Sequence, residues 1–177
     1  MPEWDPEVVP KTVAHVLLEH MGMRGLKVFL GNAGTDFASL IEAFVAGEKE
    51  DAGIPVPLAV AHESVLMSMA QGYFFATGRP AVCMVHVGVG TANALGSLMA
   101  ASRSRIPVVL LAGRTPVTQE GSSASRTAVI HWGQEMFDQA AMVREWVKWE
   151  YELRRPEEVL EAFDRAMTTA QEEPAGP

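Results

Sequence analysis

Cysteine is almost absent from this chain of 177 residues: Cys83 stands alone, which excludes an intramolecular disulfide and a cysteine zinc cluster. It lies in the apolar run Ala81-Val-Cys-Met-Val85, where a free thiol behaves as a small buried hydrophobe rather than a nucleophile. No apolar run reaches the roughly 20 residues that span a bilayer. The acidic start Met1-Pro-Glu-Trp-Asp-Pro6 lacks the apolar stretch of a secretory signal. Basic runs and basic-aromatic stripes are also missing. With 14 Lys+Arg against 22 Asp+Glu the formal charge is −8, so neither nucleic acid nor a membrane is an expected partner. The expected setting is cytoplasmic. A P-loop and a nucleophile elbow are missing as well, since Gly121-Ser-Ser-Ala-Ser125 does not fit G-x-S-x-G. His15, His20 and His131 show no metal-ligand spacing, and no metal site is expected in the chain itself.

What is present reads as one globular domain over residues 1–177, with 48% hydrophobic and 20% charged residues. Pro10 can open a helix whose Val13, Val16, Leu17 and Met21 share a face. Strands are expected at 26–30, 56–61, 81–87 and 107–112, with another near 144–149. Between them, Thr35 or Asp36 can cap a helix burying Phe37, Leu40, Ile41 and Phe44. A second helix over about 63–77 carries Leu66, Met69, Ala70, Tyr73 and Phe74 at helical spacing, and Gly78-Arg-Pro80 stops it. Further helices are expected at about 91–102 and 134–141. Pro156 opens a last one with Val159, Phe163, Ala166, Met167 and Ala170 inward. Residues 48–53 form a charged connector and 113–126 a loop. Trp4, Trp132, Trp146 and Trp149 read as packing or interface anchors. The alternation predicts an α/β fold: a doubly wound, mostly parallel six-stranded sheet with helices on both faces.

In such a sheet the carboxyl ends of the strands form the ligand crevice. Leu58-Ala-Val-Ala-His-Glu63 places Glu63 where a strand gives way to a helix, and Val85-His-Val-Gly-Val-Gly-Thr-Ala-Asn93 ends a strand in His86 and a glycine-rich turn. On local grounds Glu63 reads first as a first-turn carboxylate favoured by the helix dipole and His86 as a core histidine, while His62 is equally a surface neighbour. The turns Gly31-Asn-Ala-Gly34 and Gly88-Val-Gly90 lack the G-x-G-x-x-G spacing. Each allows either tight geometry or ligand approach.

Together these segments resemble the N-terminal pyrimidine-binding domain of thiamine diphosphate-dependent enzymes, in the acetolactate synthase and benzoylformate decarboxylase group. The resemblance covers roughly residues 8–172. Gly31-Asn-Ala-Gly-Thr35 is similar to G-N-P-G-[ST]. Glu63 with Ala70-Gln-Gly-Tyr-Phe-Phe-Ala-Thr-Gly-Arg-Pro80 is similar to a glutamate followed by A-x-G-Y-A-x-x-T-G-[RK]-P. His86-Val-Gly-Val-Gly-Thr-Ala-Asn-Ala94 is similar to H-x-G-P-G-T-x-N-A, and Arg105-Ile-Pro-Val-Val-Leu-Leu-Ala-Gly113 to R-I-P-V-V-x-I-A-G.

The resemblance implies that Glu63 shares or donates a proton at a ring nitrogen of the cofactor's aminopyrimidine, favouring the imino tautomer that deprotonates the thiazolium. Such a carboxyl belongs in an apolar, desolvated pocket. His86 matches a substrate-side histidine of the decarboxylases that acetolactate synthases generally lack, which points to a decarboxylase or lyase. Thr35 matches a Ser/Thr facing the substrate, and Asn32, Gly34, Gly88, Gly90 and Asn93 shape the pyrimidine slot. Gln134 matches the glutamine of F-Q-E. Ala33 and Val89 replace the family's prolines and relax both turns. The implied cofactors are thiamine diphosphate and Mg²⁺, the metal held by a diphosphate-binding domain whose G-D-G and N-N motifs this chain lacks. The implied partners are that domain or subunit, further copies in a homo-oligomer, and a small 2-oxo acid. The expectation is half an active site, in a truncated enzyme or a separately encoded subunit that is inactive alone. The alternatives are a non-catalytic dimerisation or assembly module and a flavodoxin-like binder of FMN or NAD.

Overall fold

The computed structural model describes residues 11–49, 52–121 and 124–177. Trp4 and Pro10 lie outside the described residues, as do parts of the 48–53 connector and of the 121–125 segment. The first helix, α1 (Val13–Met23), starts at Thr12, whose hydroxyl accepts a hydrogen bond from the His15 amide. Its buried stripe is Ala14, Leu18 and Met21 rather than the set beginning at Val13, which is exposed. Strand β1 (Val28–Gly31) leads through a short 3-10 turn, Thr35–Phe37, into α2 (Ala38–Lys49), which buries Leu40 and Ala43 but leaves Ile41 exposed. Strand β2 (Val56–Ala59) follows, then α3 (Glu63–Thr77). The ring of His62 caps α3 by accepting from the Ser64 amide at 3.1 Å, and Gly78, at φ 68°, closes it in the left-handed conformation glycine tolerates. On α3, Leu66 and Ala70 are buried as expected and Met69 is exposed.

Strand β3 (Ala81–Val85) is buried along its length. Helix α4 (Val87–Arg103) begins immediately after His86, so Gly88-Val-Gly90 is the first turn of a helix and not a loop. Strand β4 (Val108–Ala112) completes a parallel sheet in the order β2-β1-β3-β4. The α/β class, the parallel sheet and the helices on both faces stand as the sequence predicts; four strands form among the described residues in place of six. Segment 144–149 is turn and coil: Trp146 donates its amide to Val143 O at 2.8 Å, and Lys148 donates to Pro177 O at 2.8 Å. Those bonds take the groups a further strand would need. In place of a helix over 134–141 there are a four-residue helix, α5 (Ile130–Gly133), and a 3-10 turn at Ala140–Met142. Helix α6 (Val159–Gln171) buries Val159, Phe163, Met167 and Ala170, as its spacing predicts.

Strand alternation splits the core in two. Phe29, Val82, Met84 and Val109 face α1, α2 and α6, whereas Leu30, Cys83, Val85 and Val108 face α3 and α4. Leu98 of α4 is fully buried in the second layer. Truncating Leu98 to Ala is expected to lower the unfolding free energy by about 2–5 kcal/mol; urea denaturation measures it, and a loss within about 0.5 kcal/mol, as at a surface site, would contradict this packing. Cys83 is fully buried, and burial pushes its thiol far above the ordinary range. It is expected to resist a thiol reagent in native buffer and to react once the chain is unfolded; stoichiometric native labelling would contradict the assignment. Arg103, Arg126 and Arg165 lie over the rings of Trp146, Trp132 and Trp149 at 5.1, 5.6 and 5.0 Å; Trp146 packs against the second core layer, whereas Trp132 is exposed. Among the described residues no helix is long and apolar enough to cross a membrane.

Candidate functional site

The order β2-β1-β3-β4 reverses direction between β1 and β3: the chain leaves β1 towards one edge and β3 towards the other. Helix α2 packs on one face and α4 on the other. At such a switch point the connections part, and the carboxyl ends of the two strands frame the ligand crevice. Asn32, Gly34, Thr35 and Asp36 follow β1, and His86 follows β3.

Asn32 ties three strand ends together. Its backbone amide donates to Met84 O at 3.0 Å and its side-chain amide to Val60 O at 2.8 Å. Gly34 is required by close approach, since a Cβ there would lie 2.2 Å from the His86 ring. Thr35 is exposed at the start of the 3-10 turn. Asp36 does not act as a helix cap; its Oδ1 meets His86 Nδ1 at 2.6 Å and its Oδ2 accepts from the Val87 amide at 3.4 Å. Val87 has φ 35°, a value β-branched residues rarely adopt. This junction turns the chain from strand to helix without a loop.

The other ring nitrogen of His86, Nε2, lies 3.0 Å from the side-chain amide nitrogen of Gln134. The segment carrying Gln134 is held from several sides. Arg114 donates to Met136 O at 2.7 Å and to Glu135 Oε1 at 2.9 Å, and Arg126 forms an ion pair with Glu135. Gln139 donates at 3.0 Å to both Thr91 Oγ1 and Gly113 O.

Glu63 begins α3 and is 6% exposed. Asn93, on α4, donates its side-chain amide to Oε2 at 3.2 Å. Among the described residues Oε1 has no hydrogen-bond partner, and no fully buried side-chain polar atom lacks one, so Oε1 retains contact with solvent. Beside it is Gly90, where a Cβ would sit 3.2 Å from Oε1. Gly88 faces elsewhere: a Cβ there would meet Met136 Sδ at 2.1 Å.

Two groups of expected residues therefore assemble. Glu63, Gly90 and Asn93 form one; Gly34, His86 and Gln134 form the other. They share the first turn of α4, where the Gly90 amide donates to His86 O at 2.7 Å. Gly88 supports the covering segment, Asn32 braces the strand ends, and Thr35 is exposed beside Gly34. The sequence reading missed Asp36 as a partner of His86, because its type and position fit a helix cap equally well. It also missed Gly113, whose missing Cβ leaves room for the Asp36 carboxylate. The available signal was a carboxylate in the glycine-bearing turn, five residues beyond the end of β1. No group of three or more His, Cys, Asp and Glu that could hold a metal ion occurs among the described residues.

The model of the thiamine pyrophosphate enzyme N-terminal TPP binding domain matches residues 11–142. Benzoylformate decarboxylase of Pseudomonas aeruginosa is 29% identical over 167 residues, 94% of this chain and 29% of the relative. The mitochondrial acetolactate synthase catalytic subunit of Saccharomyces cerevisiae is 26% identical over 169 residues, 93% of this chain and 23% of the relative. Among solved structures, the thiamine diphosphate-dependent 4-hydroxybenzoylformate decarboxylase of Rhodococcus jostii RHA1 superposes with a TM-score of 0.75 at 27% identity, covering 94% of this chain and 29% of that one. Benzoylformate decarboxylase of Polynucleobacter necessarius, at 24% identity and TM-score 0.76, covers 95% of this chain and 29% of its own and shares the fold. The chain thus spans less than a third of the length of these relatives.

Proposed function

The chain belongs to the thiamine pyrophosphate enzymes, as their N-terminal TPP binding domain, and from that premise we propose that it is the pyrimidine-binding half of an enzyme acting on a 2-oxo acid, with Glu63 activating the cofactor. The observation that carries this reading is the state of Glu63: buried at the start of α3, one oxygen fixed by Asn93 and the other unpartnered beside a glycine. A carboxyl so placed fits a planar, nitrogen-bearing ring, which can supply the missing partner and lie where a side chain at position 90 would intrude.

Bound there, thiamine diphosphate would supply a carbanion nucleophile for the keto carbon of the 2-oxo acid. Glu63 shares a proton with the ring nitrogen it meets, and Asn93 fixes the carboxyl so that Oε1 faces that nitrogen. Asn32, Gly34, Gly88 and Gly90 set the backbone around the ring, and Thr35 faces the substrate side. His86 holds or moves a proton at Nε2, which favours a decarboxylase or lyase over a synthase. The diphosphate and its Mg²⁺ belong to a diphosphate-binding domain or subunit, and the complete site forms between copies in a homo-oligomer. A flavodoxin-like binder shares this strand order, but two carboxylates, Asp36 and Glu63, at the strand ends would repel a phosphate.

The test is reconstitution. The chain is mixed with a separately expressed diphosphate-binding domain, thiamine diphosphate and Mg²⁺, and a panel of 2-oxo acids is assayed. Turnover that requires every component supports the reading; a stable complex with no turnover on any acid makes the chain an assembly module.

A further inference from the structure

Asp36, in the 3-10 turn after β1, and His86, directly after β3, lie 50 residues apart in sequence and meet at 2.6 Å. Two independent contacts define the protonation of the ring. The amide nitrogen of Gln134 can only donate, so His86 Nε2 accepts from it at 3.0 Å. The ring proton of a neutral imidazole is then on Nδ1, where it donates to Asp36 Oδ1. Asp36 is itself fixed: its Oδ2 accepts from the Val87 amide at the N-terminus of the 17-residue helix α4, where the helix dipole favours negative charge. Gly34 and Gly113 make room for the pair, since a Cβ at either would overlap the His86 ring or the Asp36 carboxylate.

We propose that Asp36 is the positioning residue of His86: it holds the proton on Nδ1 and thereby presents Nε2 to the crevice as a proton acceptor, covered by Gln134 until a ligand displaces that amide. A ligand group that replaces Gln134 on Nε2 must then donate. A hydroxyl or a protonated group satisfies this; a carboxylate does not. The catalytic consequence rests on the proposed role of His86 in that site, but the tautomer does not depend on turnover.

The experiment is ¹⁵N NMR of the chain labelled at histidine, with His86 assigned by its loss in His86→Asn. The wild-type spectrum is expected to show protonated Nδ1 and unprotonated, accepting Nε2. Asp36→Ala removes the acceptor, so His86 moves towards the Nε2–H form that free imidazole prefers, while Asp36→Asn keeps an acceptor oxygen and retains the wild-type pattern. A wild-type His86 protonated on Nε2 overturns the proposal without any variant, and so does an Asp36→Ala protein that keeps the wild-type pattern. In the reconstituted assembly Asp36→Ala should lower kcat roughly 100-fold with little change in KM. Failure of the wild-type assembly to turn over would sink the functional reading and leave the tautomer result standing.

Discussion

Glu63→Gln is expected to lower turnover of the reconstituted assembly by about 10²- to 10⁴-fold, the usual contribution of a group that transfers a proton in the rate-determining region. Glutamine keeps the size of the side chain and an oxygen that can still accept from Asn93, so the local packing of α3 and α4 is retained. What it loses is the ability to share a proton through an oxygen. The effect should therefore fall on kcat and leave the urea midpoint of the chain nearly unchanged. Glu63→Asp separates chemistry from position, because it keeps the carboxyl and withdraws it by one methylene; it should retain more activity than the amide. Equal activity of Glu63→Gln and wild type at saturating cofactor would mean that Glu63 is a helix-start carboxylate and nothing more.

The second large effect is expected from a single methyl group. In Gly34→Ala the new Cβ would stand 2.2 Å from two atoms of the His86 ring, well inside contact distance. The ring must move, and its bonds to Asp36 and Gln134 cannot both survive. Turnover should fall roughly 100-fold through loss of the positioned imidazole, while stability falls by only about 1–3 kcal/mol, as for other overpacked sites. Gly72→Ala is the control: it lies within α3 with nothing near its added Cβ. It should leave turnover unchanged and stabilise the chain by about 0.5–1 kcal/mol, because alanine favours the helix. Steady-state kinetics and denaturation of both variants check the pair. Wild-type kcat in Gly34→Ala would contradict the packing of residue 34 against His86.

Much of the fold was legible because its elements carry signals at both ends. Helix α3 matches the expected bounds because His62 caps it ahead of Glu63 and Gly78 supplies the left-handed residue that ends it. The inward face of α6 was legible for a similar reason: its apolar positions follow a strict helical spacing between polar ones. The start of α4 was hidden. Glycines at 88 and 90 read as a turn, yet they serve close packing against Met136 and Glu63 within a helix that Val87 opens at an unusual φ. The segment near Trp146 and Trp149 has the aromatic and β-branched content of a strand, but Arg103 and Arg165 hold the two rings and the backbone turns instead.

The candidate site divides along the same line. Glu63, Asn93, Gly90, His86 and Gln134 were each singled out from the resemblance, but the contact between His86 and Gln134 was not. Asp36 was not, because its pairing joins positions 50 residues apart and its local alternative, a helix cap, uses the same side-chain type. Long-range partners of this kind become visible only when the order of strands is known. That order brings the ends of β1 and β3 side by side.

The central claim is that Glu63 activates the cofactor, and the most direct measurement does not need the identity of the 2-oxo acid. It is the rate at which the acidic thiazolium C–H of thiamine diphosphate exchanges with deuterium in the assembled protein, followed by quenched-flow and NMR at saturating cofactor. The account predicts exchange that is fast in the wild-type assembly and slower by about 100-fold or more in Glu63→Gln. Identical exchange rates in the two proteins, with both sites filled, would contradict it.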